Sequence, residues 1–129
     1  TNALTAANFN NCIIYGNHNP EFLIEDEEGA DVNFKFTNTL IKFIDSHNKF
    51  GSNPIYDFSN TSLYNNTIFN EDPNFKNTSK NDLIIGQKSG AINVIGNNTF
   101  SNQVPFDILN QPRTATPDLG AYQHVIFEE

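Results

Sequence analysis

The sequence predicts an all-β fold, a parallel β-helix in which short strands stack as a solenoid of about three coils. Two observations support this prediction. The chain of 129 residues holds 22 Asn and 12 Phe but no Met and no Trp, a composition that favours turns and strands over helices. A short pattern of apolar and Asn residues also recurs at intervals typical of solenoids.

The recurring pattern begins with Phe, continues with a small polar residue, Asn, a small residue and any residue, and ends with Ile or Leu. It occurs as FNNCII (9–14), FTNTLI (36–41) and FSNTSL (58–63), which begin 27 and then 22 residues apart. A shorter echo follows as YNNTIF (64–69). A single unit cannot bury its inward side chains alone, so the units are expected to stack about 4.8 Å apart.

The alignment places one Asn at the same corner of each unit. Asn11, Asn38 and Asn60 are therefore predicted to stack and to hydrogen-bond to one another as a ladder. The polar stretches 18–31 and 44–57 separate the units, contain Gly and Pro, and are predicted to be corner loops.

After residue 69 the repeat stops. The pattern thus divides the chain into coils with inserted loops at 1–69 and a terminal coil with a C-terminal capping segment at 70–129. Terminal units of a solenoid differ from the others because they must hide an open edge. The stretch PDLGAYQ (117–123) is predicted to be the final strand and turn of that cap.

Five residues are candidates for structural roles in the cap. Gly120 is expected to permit a close approach of the backbone, and Tyr122 to cover the open end. Arg113 is expected to pair with Asp107 or Asp118 and so to hold the closing loop. The alternative interpretation of Arg113 is a cation that binds a sugar.

Four short blocks follow one another in this region: DPNF (72–75), LIIGQKSGAIN (83–93), DILNQPR (107–113) and DLGAYQ (118–123). In this order they resemble the C-terminal ends of bacterial surface proteins of the right-handed parallel β-helix type with a choice-of-anchor C-terminal region. The chain departs from the family pattern at Gly90, where Pro is usual, and at Asn93, Asn110 and Gln123, where Asp, Gly and Glu are usual.

The resemblance implies a right-handed solenoid and a location outside the cell or on the outer-membrane surface of a bacterium. The Asn-rich composition is also similar to that of proteins from Bacteroidota. Residue 1 enters almost directly into a coil. We therefore expect the chain to be the C-terminal part of a longer protein, or its first coil to be covered by a partner.

Composition excludes several classes of partner. The net charge is −8 and only 7 residues are basic, so binding to nucleic acid is not expected. No run of about 18 apolar residues predicts a transmembrane segment. The single cysteine, Cys12, can form neither an internal disulfide nor a cysteine zinc site and is expected to be a small core residue.

No metal or other cofactor is expected from the spacing of the possible ligands. The histidines show no zinc-binding spacing. The acidic residues 25–28, with Asp31, offer oxygen ligands for Ca²⁺ but lack the alternating spacing of an EF-hand loop. A solvated loop is the simpler interpretation.

The function expected is non-catalytic binding, either to another cell-surface or outer-membrane protein or to a polysaccharide. Tyr15, Tyr56 and Tyr64 are candidates for stacking on sugars, although the core of the stack could also hold them. The alternative is a segment of a β-helix polysaccharide lyase or glycoside hydrolase. Its candidate residues are scattered, and no active site is expected. The candidate catalytic residues of this alternative are Lys35, Lys42, Asp45 and Asp57.

Overall fold

The computed structural model describes residues 2–94, 99–113 and 116–128. Short strands dominate it, with one α-helix, α1 (Thr99–Gln103), and two 3₁₀ turns, Pro54–Tyr56 and Thr78–Lys80. The strands are β1 (Leu4–Asn10), β2 (Ile13–Ile14), β3 (Val32–Thr37), β4 (Leu40–Ile41), β5 (Tyr64–Asn65), β6 (Ile68–Phe69), β7 (Phe75–Asn77) and β8 (Asp82–Ile85).

The strands form three small sheets. The first sheet is parallel, in the order β1-β3-β5, and the second is parallel, in the order β2-β4-β6. Strands β7 and β8 pair antiparallel. Each pair of strands joined at a corner (β1 with β2, β3 with β4, β5 with β6) forms one layer, and the three layers stack in register.

The prediction of a right-handed parallel β-helix is wrong. The described residues contain two separate three-stranded parallel sheets and an antiparallel pair, and these sheets join into neither a solenoid nor a closed sheet. Four of the six stacked strands are only two residues long. Beyond Phe69 the chain leaves the parallel stack for the β7–β8 hairpin, and none of the strands described after it joins either parallel sheet.

The corner of each layer is an Asn in the left-handed conformation, with φ of 56° at Asn11, 50° at Asn38 and 51° at Asn66. The Asn38 side-chain amide donates to Asn11 Oδ1 at 3.2 Å, and that of Asn66 donates to Asn38 Oδ1 at 2.7 Å. The third position of the ladder thus belongs to Asn66, not to Asn60. Asn60 lies in the turn before β5, where its Oδ1 accepts from the main-chain N–H of Ser62.

The second parallel sheet is buried on both faces because its residues alternate. Leu40 faces one apolar cluster and Ile41 faces the other, and both are fully buried. The cluster between the two parallel sheets contains the aromatic side chains Phe34, Phe36, Phe43, Tyr56 and Tyr64. The cluster on the opposite face combines Leu40 with Ile85, Ala91 and Leu119 from later in the chain.

The C-terminal segment packs against the first layer, contrary to its predicted place on the last coil. The main-chain N–H of Gly120 donates to the carbonyl of Asn11 at 2.8 Å. Gly120 has φ of +83°, and a Cβ there would lie 2.9 Å from Ile13 Cδ1. Leu119 fills the second cluster, and Tyr122 packs at its border. Sheet pairing had left this face of β2 uncovered, and the segment covers part of it.

Candidate functional site

Arg113 is the central polar residue of the C-terminal segment. Its guanidinium donates to the main-chain carbonyls of Asp118 (3.3 Å) and Gly120 (2.9 Å) and to Gln123 Oε1 (3.2 Å). The partners are neutral oxygens, not the carboxylates of Asp107 or Asp118 expected from the sequence. Through these bonds Arg113 fixes the turn at Gly120.

The Asp107 carboxylate organises the loop that precedes Arg113. Its Oδ1 accepts from the main-chain N–H groups of Leu109 (2.9 Å) and Gln111 (2.8 Å), and its Oδ2 accepts from that of Gln123 (2.9 Å). Asp107 is buried. A buried carboxylate is tolerated where several N–H groups solvate it, so Asp107 joins the loop to the last strand-like segment.

The Asp118 carboxylate contacts both the main chain and the side chain of His124. Its Oδ2 accepts from the main-chain N–H of His124 at 2.6 Å and lies 2.8 Å from the His124 Nδ1. The Asp118 side chain is fully buried, whereas that of His124 is 39% exposed. Asp118 Oδ1 is buried and has no hydrogen-bond partner among the described residues.

Arg113 and Asp118 border a cleft of about 420 Å³, the Arg113 cleft. One wall is the first corner, Asn10 and Asn11, and the opposite wall is the C-terminal segment with Arg113, Asp118 and Gly120. Helix α1 forms the third side. It contributes Phe100, Ser101 and Gln103.

The cleft presents hydrogen-bonding groups beside an aromatic ring. Amides of Asn and Gln both donate and accept, and a guanidinium has five N–H donors in a planar arrangement. Phe100 adds an apolar surface that is 37% exposed. Such a lining suits a neutral ligand with hydroxyl groups next to C–H faces, and the volume is in the range of small-ligand sites.

Of the three tyrosines predicted to stack on sugars, two belong to the core. Tyr56 donates to the Ile24 carbonyl, and Tyr64 donates to the Ile55 carbonyl while its ring stacks on Phe36. Tyr15 is half-buried and lines a different cleft of about 300 Å³, the Tyr15 cleft, with Asn17, Asp72, Asn74 and Phe75.

The residues considered for an enzyme do not converge. Lys35, Lys42, Asp45 and Asp57 line neither the Arg113 cleft nor the Tyr15 cleft. Asp45 accepts from the main-chain N–H groups of Phe50 and Lys49, and these bonds lower the pKa of its carboxyl. Asp57 caps a turn by accepting from Ser59. Both carboxylates have roles in loop structure.

Metal binding finds no support in the geometry. Within the described residues, no group of three or more His, Cys, Asp or Glu side chains is arranged to hold a metal ion. The acidic residues 25–28 and Asp31 are exposed in a loop. Burial raises the pKa of the Cys12 thiol, whose Sγ donates to the Asn10 carbonyl, so this cysteine is a poor metal ligand and nucleophile.

The contribution of α1 to the Arg113 cleft was not predicted from the sequence. The stretch TFSNQ (99–103) is short and polar, has no apolar periodicity, and lies outside the four family-like blocks. Only its position beside the first corner identifies Phe100 and Gln103 as lining residues.

No helix in the described ranges is long and apolar enough to cross a bilayer.

Comparison of the chain with protein-family models, with curated proteins and with solved structures finds no match.

Proposed function

We propose that this chain is a non-catalytic module that binds a neutral polysaccharide at the outer surface of a bacterium, with the saccharide in the Arg113 cleft. The lining of that cleft carries the proposal. Asn10, Gln103 and Arg113, which carry amide and guanidinium groups, line the same space as Phe100, which is 37% exposed. Sugars offer hydroxyls to the former and C–H faces to the latter.

Charge favours a neutral saccharide over an acidic one. The chain carries a net charge of −8, which repels polyanions at a distance. Within the cleft, Arg113 and Asp118 contribute one charge of each sign. A neutral ligand needs neither a counter-ion nor the removal of a buried charge.

Binding without hydrolysis follows from the carboxylates. Glycoside hydrolases use two carboxyl groups about 5–9.5 Å apart across the scissile bond. Asp118 is the one acidic residue among the described residues that line the Arg113 cleft, and its Oδ2 is engaged by His124. A segment of a polysaccharide lyase or glycoside hydrolase is therefore the weaker alternative.

The proposed location rests on the resemblance of the C-terminal blocks to the ends of bacterial surface proteins. Two of those blocks supply cleft residues, namely Arg113 from 107–113 and Asp118 and Gly120 from 118–123. A secreted or outer-membrane-associated parent protein would expose such a cleft to extracellular glycans.

The experiment is a binding titration by calorimetry with a panel of neutral oligosaccharides of different linkage. Phe100→Ala and Gln103→Ala are the test variants, and Asn102→Ala is the matched control. Asn102 is exposed on the same helix but does not line the cleft. We expect each test variant to weaken binding about tenfold, which is about 1.4 kcal/mol, and the control to bind as the parent does.

Two results contradict the proposal. One is the absence of binding to every oligosaccharide in the panel, and the other is equal loss of affinity in Asn102→Ala and the test variants. Release of reducing ends from any oligosaccharide during the titration would instead favour the hydrolase alternative.

The second candidate function is binding to another cell-surface protein through strand β1. This strand is at the edge of its sheet, and Leu4 and Phe9 on it are 42% and 41% exposed. An extended strand of a partner could pair with this edge. Hydrogen exchange compares β1 in the complex isolated from native membranes with β1 in the purified chain. Equal exchange at residues 4–10 would rule this candidate out.

A further inference from the structure

We infer that the ligand is an extended chain of several sugar units, which runs along strand β2 from the Arg113 cleft to the Tyr15 cleft. This inference rests on the proposed function and identifies a second subsite. The Tyr15 cleft is formed by Tyr15 and Asn17, directly after β2, and by Asp72, Asn74 and Phe75 on the opposite side. The Arg113 cleft begins directly before β2, at Asn10 and Asn11.

A smaller cavity of about 140 Å³ has lining residues in common with both clefts. It shares Gly120 and Ala121 with the Arg113 cleft, and Phe75 and Leu83 with the Tyr15 cleft. Ile13 of β2 forms its floor. The three spaces are therefore neighbours, and the middle one lies where the C-terminal segment packs on β2.

The length of this trench exceeds that of a single sugar. A fully extended chain advances about 3.3 Å per residue, so the backbone from Asn11 to Tyr15 spans at most about 13 Å, and less because Asn11 is a left-handed corner. The clefts add their own width at each end. A monosaccharide fills one cleft, whereas a linear oligosaccharide can occupy both.

The chemistry along the trench alternates between polar and apolar. Its middle is lined by Ile13, Phe75 and Leu119, and each end by amides with one carboxylate. The Tyr15 ring meets Phe75 edge-on, at 6.4 Å between centroids and an angle of 79°. Lys42 fixes that ring, because its Nζ donates to the Gly16 carbonyl at 2.7 Å and lies 5.4 Å from the ring centroid.

A neutral polysaccharide fits this pattern better than a charged one. Asp118 and Asp72 are at opposite ends of the trench. Uronic acid or sulfate groups at regular intervals would be repelled by these charges, whereas hydroxyl groups can donate to the exposed carboxylate of Asp72. The Asp118 carboxylate is buried and already bound by His124, so it acts only through its charge. An extended peptide would offer main-chain amides instead, and the experiment below includes one.

The test is the dependence of affinity on chain length. A neutral oligosaccharide that binds in the panel is titrated as two-, four- and six-unit oligomers. We expect at least a tenfold gain in affinity from the shortest to the longest. Asn17→Ala and Tyr15→Ala should abolish that gain and leave the affinity of the two-unit oligomer unchanged. Leu23→Ala is the control, since Leu23 is 55% exposed and lines neither cleft.

Tyr15 also borders the second apolar cluster, so Tyr15→Ala could fail to fold. Asn17 is exposed, and Asn17→Ala keeps the test valid in that case. Equal affinity for all lengths would overturn the inference and leave the proposed function standing. No binding at any length would overturn both. Tighter binding of an extended neutral peptide than of every oligosaccharide, lost in Asn17→Ala, would show that the trench serves a protein partner.

Discussion

Asparagine provides the left-handed corners of this chain. Every non-glycine residue with positive φ in the described ranges is Asn. The Asn side chain can hydrogen-bond locally and tolerates this conformation better than other side chains. The Asn-rich composition thus reflects the number of tight turns. These residues are Asn11, Asn38, Asn48, Asn66, Asn70, Asn74, Asn81, Asn93 and Asn110.

Asn38 should be the most sensitive position of the ladder because its amide bonds to both neighbours. Asn38→Gly keeps the left-handed backbone but removes both amide–amide bonds, and it should lower the free energy of unfolding by about 1–2 kcal/mol. Asn38→Ala should cost roughly 1 kcal/mol more, since Ala is strained at positive φ. Urea denaturation of both variants measures the difference.

The matched control is Asn48→Gly. Asn48 has φ of 51° but lies exposed in a loop outside the ladder. Its replacement should change stability by less than about 0.5 kcal/mol. A loss equal to that of Asn38→Gly would show that the ladder bonds contribute nothing beyond the turn itself.

Gly120 combines a left-handed backbone with close contact to the first layer. Gly120→Ala should destabilise the fold by roughly 2–3 kcal/mol, because the new methyl is strained at positive φ and meets Ile13. Gly29→Ala isolates the backbone cost, since Gly29 has φ of +87° and nothing within 4 Å of a Cβ. It should cost about 1 kcal/mol.

The double variant Gly120→Ala with Ile13→Val removes the Cδ1 atom that the new methyl meets. It should therefore show a favourable coupling in a double-mutant cycle of thermal stability. Strict additivity of the two substitutions would contradict the packing of the C-terminal segment on β2.

At the scale of elements, an aromatic column joins the three layers of the first sheet. Phe36 stacks on Phe9 at 4.8 Å and on Tyr64 at 5.7 Å between ring centroids. These three rings also explain why the layers pair in register, because aromatic side chains at equivalent positions of neighbouring parallel strands attract one another.

The position in the column should determine the cost of removing a ring. Phe36→Ala, in the middle and 3% exposed, should lower the free energy of unfolding by about 3–5 kcal/mol. Phe9→Ala, at the exposed end, should cost roughly 1–2 kcal/mol. Guanidinium denaturation compares the two, and equal losses would argue against a stacked column with one open end.

At the scale of the whole molecule, one sheet connects both apolar clusters. The second parallel sheet contributes Ile41 to the cluster shared with the first sheet and Leu40 to the cluster shared with Leu119. Loss of either cluster exposes that sheet. The described parts of the chain are therefore expected to unfold together.

Alkaline pH tests this cooperativity through Tyr64, which is 2% exposed. Burial, with a smaller effect of Tyr56, raises the pKa of Tyr64 well above its ordinary value of 10. The unfolded chain loses the Tyr64 proton near pH 10, whereas the folded chain keeps it. The contribution of protonated Tyr64 to the free energy of unfolding is therefore complete below pH 10 and declines as pH rises. The decline should reach about 1.4 kcal/mol per pH unit.

The measurement is urea denaturation at several pH values between 8 and 11.5, with tyrosinate absorbance recorded in parallel. Tyr64→Phe should be less stable at neutral pH because it lacks the bond to Ile55, but its stability should fall less steeply above pH 10. Ionisation of Tyr64 in the folded protein near pH 10 would contradict the buried position.

Several local features followed from the sequence. The six-residue pattern marked the segments 9–14 and 36–41, whose aromatic, Asn and aliphatic positions pair in register. It chose 58–63 for the third segment, whereas the structure uses the echo at 64–69. The two segments share an aromatic first residue and Asn at the third position, but 58–63 ends in Leu63 and 64–69 ends in Ile68 and Phe69. Regular spacing favours the segment that pairs, since Tyr64 lies 28 residues after Phe36 and Phe36 lies 27 after Phe9, whereas Phe58 lies only 22 after Phe36. The closer match of 58–63 to the residue pattern outweighed this signal.

The sequence by itself determined the turns, the pairing chemistry and the residues of the C-terminal segment, because left-handed Asn, β-forming side chains and the glycine turn depend on local physics. Only the tertiary structure decided that the sheets remain separate, that Arg113 binds carbonyls, and that the segment covers the first layer. These outcomes depend on which apolar faces lie free after the strands have paired. Residues such as Ile13 and Leu119, more than 100 positions apart in the chain, meet there because both must leave water.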